Sequence, residues 1–267
     1  MSLWRGVSFA ALVCLIWGLP AVSESAELTP HRALYSLSLG RASMASGIVA
    51  AHGVLFLEWE ETCDGWTAKQ RTVLRLLKTE GPEIEADTNF ASWESKDGLN
   101  YRFSVRDLRD GKLFEELRGR ADLKGKGQAG KAVFSRPEPL RLALPAGAIF
   151  PTEHIQQLID GAVAGDDRVW RIVFDGATLD GAFEVNAVIG RPIPPEPGLD
   201  FEPIVNRLSW RMRLAFFPVD SNEPEPRYEM SVRLLDNGVA RDMVFDYGDF
   251  TINAQLEPIE ALSRPDC

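Results

Sequence analysis

Apolar and polar residues alternate along most of this chain. In LNYRFSV, Leu99, Tyr101, Phe103 and Val105 share one side, while Asn100, Arg102, Ser104 and Arg106 share the other. RLSWRMRLAFF sets Leu208, Trp210, Met212, Leu214 and Phe216 against Arg207, Ser209, Arg211 and Arg213. RYEMSVRLL groups Tyr228, Met230, Val232 and Leu234. VARDMVFDY groups Val239, Met243, Phe245 and Tyr247, and FTINAQL groups Phe250, Ile252, Ala254 and Leu256. Successive side chains of a strand point to opposite faces, so a period of two predicts half-buried antiparallel strands.

The turn residues agree with this reading. Asn237-Gly238 lies between two alternating runs and predicts a tight hairpin with both positions at positive φ. Asp97-Gly98 and Asp110-Gly111 bracket one strand, and residues 91–134 read as a meander. Asp64-Gly65 turns the chain just after Cys63 and places that cysteine at a strand end. One segment follows another period. In FPTEHIQQLIDGAVAGDD, Ile155, Leu158, Ile159, Ala162 and Val163 recur at helical spacing. The predicted helix spans Thr152 to Ala164, with Thr152 as N-cap, Pro151 ahead of it, Glu153 early in its first turn and Gly165 ending it. Its apolar face needs a sheet face to cover it. Residues 191–203 are Pro-rich and read as an extended connector.

The N-terminus changes the picture. Arg5 is followed by an apolar run from Val7 to Leu19, then by Pro20 and small residues. That is the layout of a secretory signal peptide over residues 1–25, cut after Ser23 or Ser25. The run falls short of the roughly 20 apolar residues of a membrane span, so no anchor is expected after cleavage. The remaining 26–267, expected in the periplasm, suit one large all-β domain or two small ones divided at the Pro-rich connector, and with similar strands on both sides of it they read as a single domain. Cleavage would remove Cys14 and leave Cys63 and Cys267. Two lone thiols in an oxidising compartment pair, which predicts a Cys63–Cys267 disulfide; the alternatives are a reactive thiol and an intermolecular bridge.

Net charge −10 and a pI of about 4.9, with no basic stripe along the sequence, argue against nucleic acid and anionic membrane surfaces as partners. Candidate chemistry is sparse. GKGQAGKA spaces Gly125, Gly130 and Lys131 as a phosphate-binding loop would, but Ala132 stands where a Ser or Thr would hold magnesium. AVFSRPEP follows where a helix should begin, so a flexible turn is expected. His31, His52 and His154 have no metal-ligand spacing, and His154 reads as a structural group in the helix's first turn. No nucleophile elbow appears. Acids cluster at Glu58, Glu60 and Glu61, at Asp166 and Asp167, and at Glu223 and Glu225, mostly as surface charge. Trp59, Trp66, Trp93, Trp170 and Trp210 could line a groove for an acyl chain, but each alone reads as core. No catalytic residue, metal site or cofactor is expected.

Several stretches together resemble the EipB family of exported envelope-integrity proteins of Alphaproteobacteria. They are HRALYSLSL, CDGW, FASWESKDGLNYRF, LPAGAIFPTEHIQQLI, SWRMRLAFF, YEMSVRLLDNGVARDMVFDYGDF and the terminal cysteine. The resemblance implies an all-β fold: a long curled antiparallel sheet, or β-spiral, with one helix packed in its cup, distantly like the LolA and LolB lipoprotein carriers. It also implies the Cys63–Cys267 bond, and it assigns no catalytic residue. The expected function is non-enzymatic support of the envelope by a monomer that binds a lipid, a lipoprotein or a periplasmic protein. One alternative is an interaction scaffold whose cup is filled by its own helix. The other is a hydrolase of peptidoglycan or polysaccharide, which would need carboxylates converging in a cleft.

Overall fold

The structure is a computed structural model that describes residues 26–195, 203–219, 221 and 223–267. The signal peptide read over 1–25 and most of the Pro-rich connector lie outside the described residues.

The alternating segments form strands because each can bury one face. Eight come first: β1 (His31–Ala42), β2 (Ile48–Glu61), β3 (Gly65–Lys78), β4 (Ile84–Ser95), β5 (Asn100–Arg109), β6 (Lys112–Leu123), β7 (Gly130–Arg136) and β8 (Leu140–Leu144). Each pairs antiparallel with its predecessor. A two-residue strand, β9 (Ala148–Ile149), leads into helix α1 (Pro151–Ala164). The chain then builds a second antiparallel meander from β10 (Arg168–Val173), β11 (Phe183–Ile193), β12 (Ser209–Pro218), β13 (Tyr228–Leu235), β14 (Ala240–Asp246) and β15 (Phe250–Ala261). β9 runs parallel to β10, as a strand pair bridged by a helix can.

β15 pairs with β1, from His31 opposite Ala261 to Ala42 opposite Phe250. The result is one 15-stranded sheet running from β8 back to β1, across to β15, and on to β9. The first and last strands are neighbours in mid-sheet, and the two edge strands are consecutive in sequence. The sheet curls until its ends share a core. Tyr101, Phe103, Leu117 and Phe134 of β5–β7 pack with Phe150, Phe174 and Ala182 from around β9–β11. This is the all-β curled sheet that the alternation and the resemblance led one to expect, nearly closed as a barrel.

α1 lies inside the other arm of the curl. Leu158, Ile159 and Ala162 are buried against Val169, Val185, Ala187, Trp210 and Met212, with Trp59 and Trp66 beside them. Val163, expected on the same face, is exposed. The predicted N-cap is also displaced. Phe150 is the cap residue and makes no side-chain cap bond, while Thr152 lies inside the first turn. Phe150 is fully buried and stacks on Tyr101 at 4.9 Å, which fixes where the chain can turn into Pro151. Gly165 ends the helix at φ 88°, as predicted.

Asp110-Gly111 makes the two-residue turn with both positions at positive φ, 50° and 73°. At Asn237-Gly238 only the glycine adopts positive φ. Four residues separate β13 from β14 there, and the buried Asn237 side chain bonds the Ile204 carbonyl and the Val239 amide. Three residues of the expected connector, Arg191–Ile193, instead finish β11, with Pro192 beside a register shift where a ladder donor is not required.

Candidate functional site

Cys63 sits in the β2–β3 turn and is bonded to Cys267, with Cα atoms 5.7 Å apart. The tail that carries Cys267 is held alongside. Arg264 pairs with Glu61 at 3.0 Å and Glu27 at 2.8 Å, and donates to the Leu28 carbonyl. Glu61 also pairs with Lys96.

A cleft of about 550 Å³ opens beside this tail at the start of α1, lined among others by Glu61, Glu94, Glu153, Asp160, Lys96 and Lys126. It is where the acids of the chain converge, and each carboxylate is already engaged. Glu153 pairs with Lys126 at 2.6 Å, and Asp160 accepts the Ala26 amide at 2.8 Å. Glu94, from β4, accepts the Thr152 amide at 2.7 Å and the Glu153 amide at 3.0 Å. It thus supplies the helix cap that Phe150 lacks, and its charge suits the positive end of the helix. The sequence reading missed Glu94, because a cap borrowed from a distant strand leaves no local spacing. Of the acid clusters read from the sequence, that of Glu58, Glu60 and Glu61 is engaged too: Glu58 is held between Arg32 at 2.6 Å and Lys69 at 2.8 Å, and Glu60 lies 3.4 Å from Lys69.

Burial pushes the Glu94 carboxyl up to about 7, against the two amides, which favour the anion. A folded-state pKa above the ordinary 4.5 means that the native chain holds this proton more tightly than the unfolded chain does. Its contribution to stability is full below pH 4.5 and is lost as pH rises through 7, on the order of 3 kcal/mol. Wild-type protein should therefore melt at a lower temperature at pH 8 than at pH 5, and Glu94→Gln, which cannot titrate, should show a flatter dependence. Parallel melting curves for the two proteins across that range would refute the assignment.

His154 lies in the first turn of α1, as read from the sequence, and is buried; burial and nearby Arg171 bring its pKa down to about 4. His154 Nε2 and His31 Nε2 are buried without a hydrogen-bond partner among the described residues. No cluster of three metal-ligating side chains occurs among the described residues. Gly125 and Gly127 belong to the turn between β6 and β7. Trp59, Trp66 and Trp210 are core, Trp93 is half-buried, and Trp170 is exposed.

A larger concavity lies elsewhere. The face of β2–β7 opposite the aromatic core is itself hollow and forms an open trough of about 1500 Å³. Strand alternation puts Lys69, Arg71, Arg102, Arg106, Arg118 and Arg120 on it, with Glu116 as the one lining carboxylate among the described residues. Arg71 is held by Asp87 through two bonds of 3.1 and 2.9 Å, and Lys69 by Glu58. Arg102 lies over the Trp93 ring at 4.9 Å. An acidic chain without a basic stripe was expected. The β5–β6 hairpin instead gathers four arginines on its wet face, so the basic character is local to one hollow face. The alternation at Arg102 and Arg106 and a meander over 91–134 were visible in the sequence, but the register that sets Ser104 opposite Arg118 was not.

A family model described as EipB-like matches residues 22–263. The cell envelope integrity protein EipB of Brucella abortus (strain 2308) is 31% identical over 267 residues, covering 97% of this chain and 90% of that protein. The crystal structure of a beta-barrel-like protein of domain of unknown function DUF1849, from Brucella abortus, superposes with a TM-score of 0.82 at 30% identity. It covers 90% of this chain and 100% of its own.

Proposed function

The chain belongs to the EipB-like family, and on that footing we propose that it is a non-enzymatic periplasmic protein that supports envelope integrity by binding an envelope component. Residues 1–25 direct export and are removed, and 26–267 act as one monomeric domain. The observation that carries the binding reading is the division of labour between the two faces of the curled sheet. The inner cup is packed by the chain's own helix, with Leu158 and Ile159 buried, so it leaves little room for an acyl chain. The outer trough is open, hollow and unlike the rest of the acidic molecule in charge. A ligand is therefore taken on the outer face. The hydrolase alternative is disfavoured by the acidic cleft, whose carboxylates are each committed to a cation or a backbone amide. No helix among the described residues is long and apolar enough to cross a membrane, which is compatible with a chain released after export.

The test is genetic. A strain lacking the gene should plate poorly on detergent and on a cell-wall antibiotic. The full chain should restore growth, and a chain without residues 1–25 should not. A deletion strain that plates like its parent would overturn the envelope role. Rescue by the truncated chain would overturn the periplasmic one.

A further inference from the structure

Ser104 occupies the middle of the trough floor, opposite the small Ala91 of β4. Its neighbours two residues away on the same face of β5 are Arg102 and Arg106, each about 7 Å along the strand. Directly across on β6 stands Arg118. The hydroxyl is thus bordered on three sides by guanidinium-bearing positions and on the fourth by a methyl group. Like charges also face each other across the ladder, Arg102 opposite Arg120 and Arg118 opposite Arg136. Such pairs weaken a sheet, and nothing in this acidic chain forces them. Arg106 faces Glu116 across the same ladder, and Asp87 and Asp64 act on Arg106 and Arg102 from further off, yet among the described residues no carboxylate lies within 4.0 Å of Arg102, Arg106 or Arg118, and Arg120 reaches only Asp122 of its own strand, at 3.9 Å. Repulsion built into a hollow, with a hydroxyl at its centre, fits an anion with several oxygens that accepts from more than one guanidinium.

The opposite corner of the trough is apolar. Val54 and Phe56 of β2 and Val73 of β3 line it, and Val54 is 43% exposed. Two strand spacings (β5 to Val73) to four (β6 to β2), about 9–19 Å, separate this corner from the arginines. At about 1500 Å³ the trough exceeds the roughly 300–1,000 Å³ of a typical small-molecule pocket. The hollow shape suits a single extended molecule better than a flat bilayer. The geometry points to an anionic phospholipid, one whose phosphate charge no headgroup cation offsets, as occupant, with its phosphate over Ser104 among Arg102, Arg106 and Arg118, and its acyl chain directed towards Val54, Phe56 and Val73.

The inference rests on the binding reading above but fails separately from it: the deletion phenotype could stand while this ligand is wrong. The chain is expressed with its N-terminal 25 residues, purified after export, and titrated calorimetrically with dioctanoyl phosphatidylglycerol below its micellar concentration. Dioctanoyl phosphatidylcholine and glycerol phosphate serve as the zwitterionic and headgroup-only arms. Saturable binding of phosphatidylglycerol is expected, with both other probes weaker. Arg102→Gln and Arg118→Gln should each weaken it about tenfold, the scale of one charge-assisted bond, and Arg168→Gln on β10 should leave it unchanged. All three side chains are exposed, so the variants should fold, which circular dichroism checks. No binding, equal binding of the zwitterionic lipid, or equal binding by the Arg102 and Arg118 variants would overturn the proposal. Glycerol phosphate binding as tightly as the lipid would overturn the acyl-chain part and leave a site for a free phosphate ester.

Discussion

Cys63→Ser should lower the stability of the folded chain by about 5 kcal/mol, the value that loop-closure entropy gives for a bridge spanning 204 residues. The size follows from topology. The bond joins the β2–β3 turn to the last residue, so it closes nearly the whole domain into a ring. Its effect falls on the unfolded ensemble, which loses the freedom to separate Cys63 from the tail. Native contacts should change little. β1 and β15 are paired through their own ladder, and Arg264 ties the tail to Glu61 and Leu28 without help from sulfur. Three samples decide the matter: oxidised wild type, wild type held in reductant, and Cys63→Ser, each unfolded in urea. The last two should unfold at the same, much lower, denaturant concentration. A loss of 1 kcal/mol or less would mean that the bond only pins a loose tail. A larger loss in the variant than in reduced wild type would mean that serine disturbs the turn itself.

What the sequence made legible was the local part of this architecture. Strands such as 100–109 and 209–218 show themselves because one face is buried and the other wet, so burial writes a period of two into the residues. α1 is legible for the same reason at its own period. The cysteine pair was legible from the expected export and the cysteine count, before any geometry. Partnerships made at a distance were not legible. The pairing of β1 with β15 rests on a closure that no neighbouring residue announces. Glu94 caps a helix 58 residues away, so Thr152, a suitable residue in a plausible place, was preferred to it. The trough escaped because charge alternation within β5 is visible, whereas register is not. Only when Ser104 falls opposite Arg118 do solvent-facing arginines become a cluster.

Phe174→Ala carries the other large effect, because this ring fastens the two meanders together where the sheet itself does not. β8 and β9 are the free ends of the ladder, so no strand pairing closes the curl. Closure falls to the segment just after β10. Phe174 is fully buried, with its ring 5.6 Å from Phe103 and 6.4 Å from both Tyr101 and Phe134. The next two residues extend the contact. Tyr101 Oη donates to the Asp175 carbonyl at 3.0 Å, and Gly176 approaches Phe103 so closely that an added Cβ would lie 2.4 Å from the ring. Removing the Phe174 ring leaves a cavity lined by three aromatics of the first meander, which cannot easily move in to fill it. A loss of about 3–5 kcal/mol is expected, a melting shift on the order of 10 °C for a domain of this size. Its distribution is the sharper test. Amide exchange should accelerate most in β5, β6 and β7, which lose their docking partner, and least in β1 and β15, which sit in mid-sheet far from the opening seam. Uniform acceleration across the sheet would mean that the curl opens only by global unfolding, and that Phe174 is one core residue among many rather than the clasp.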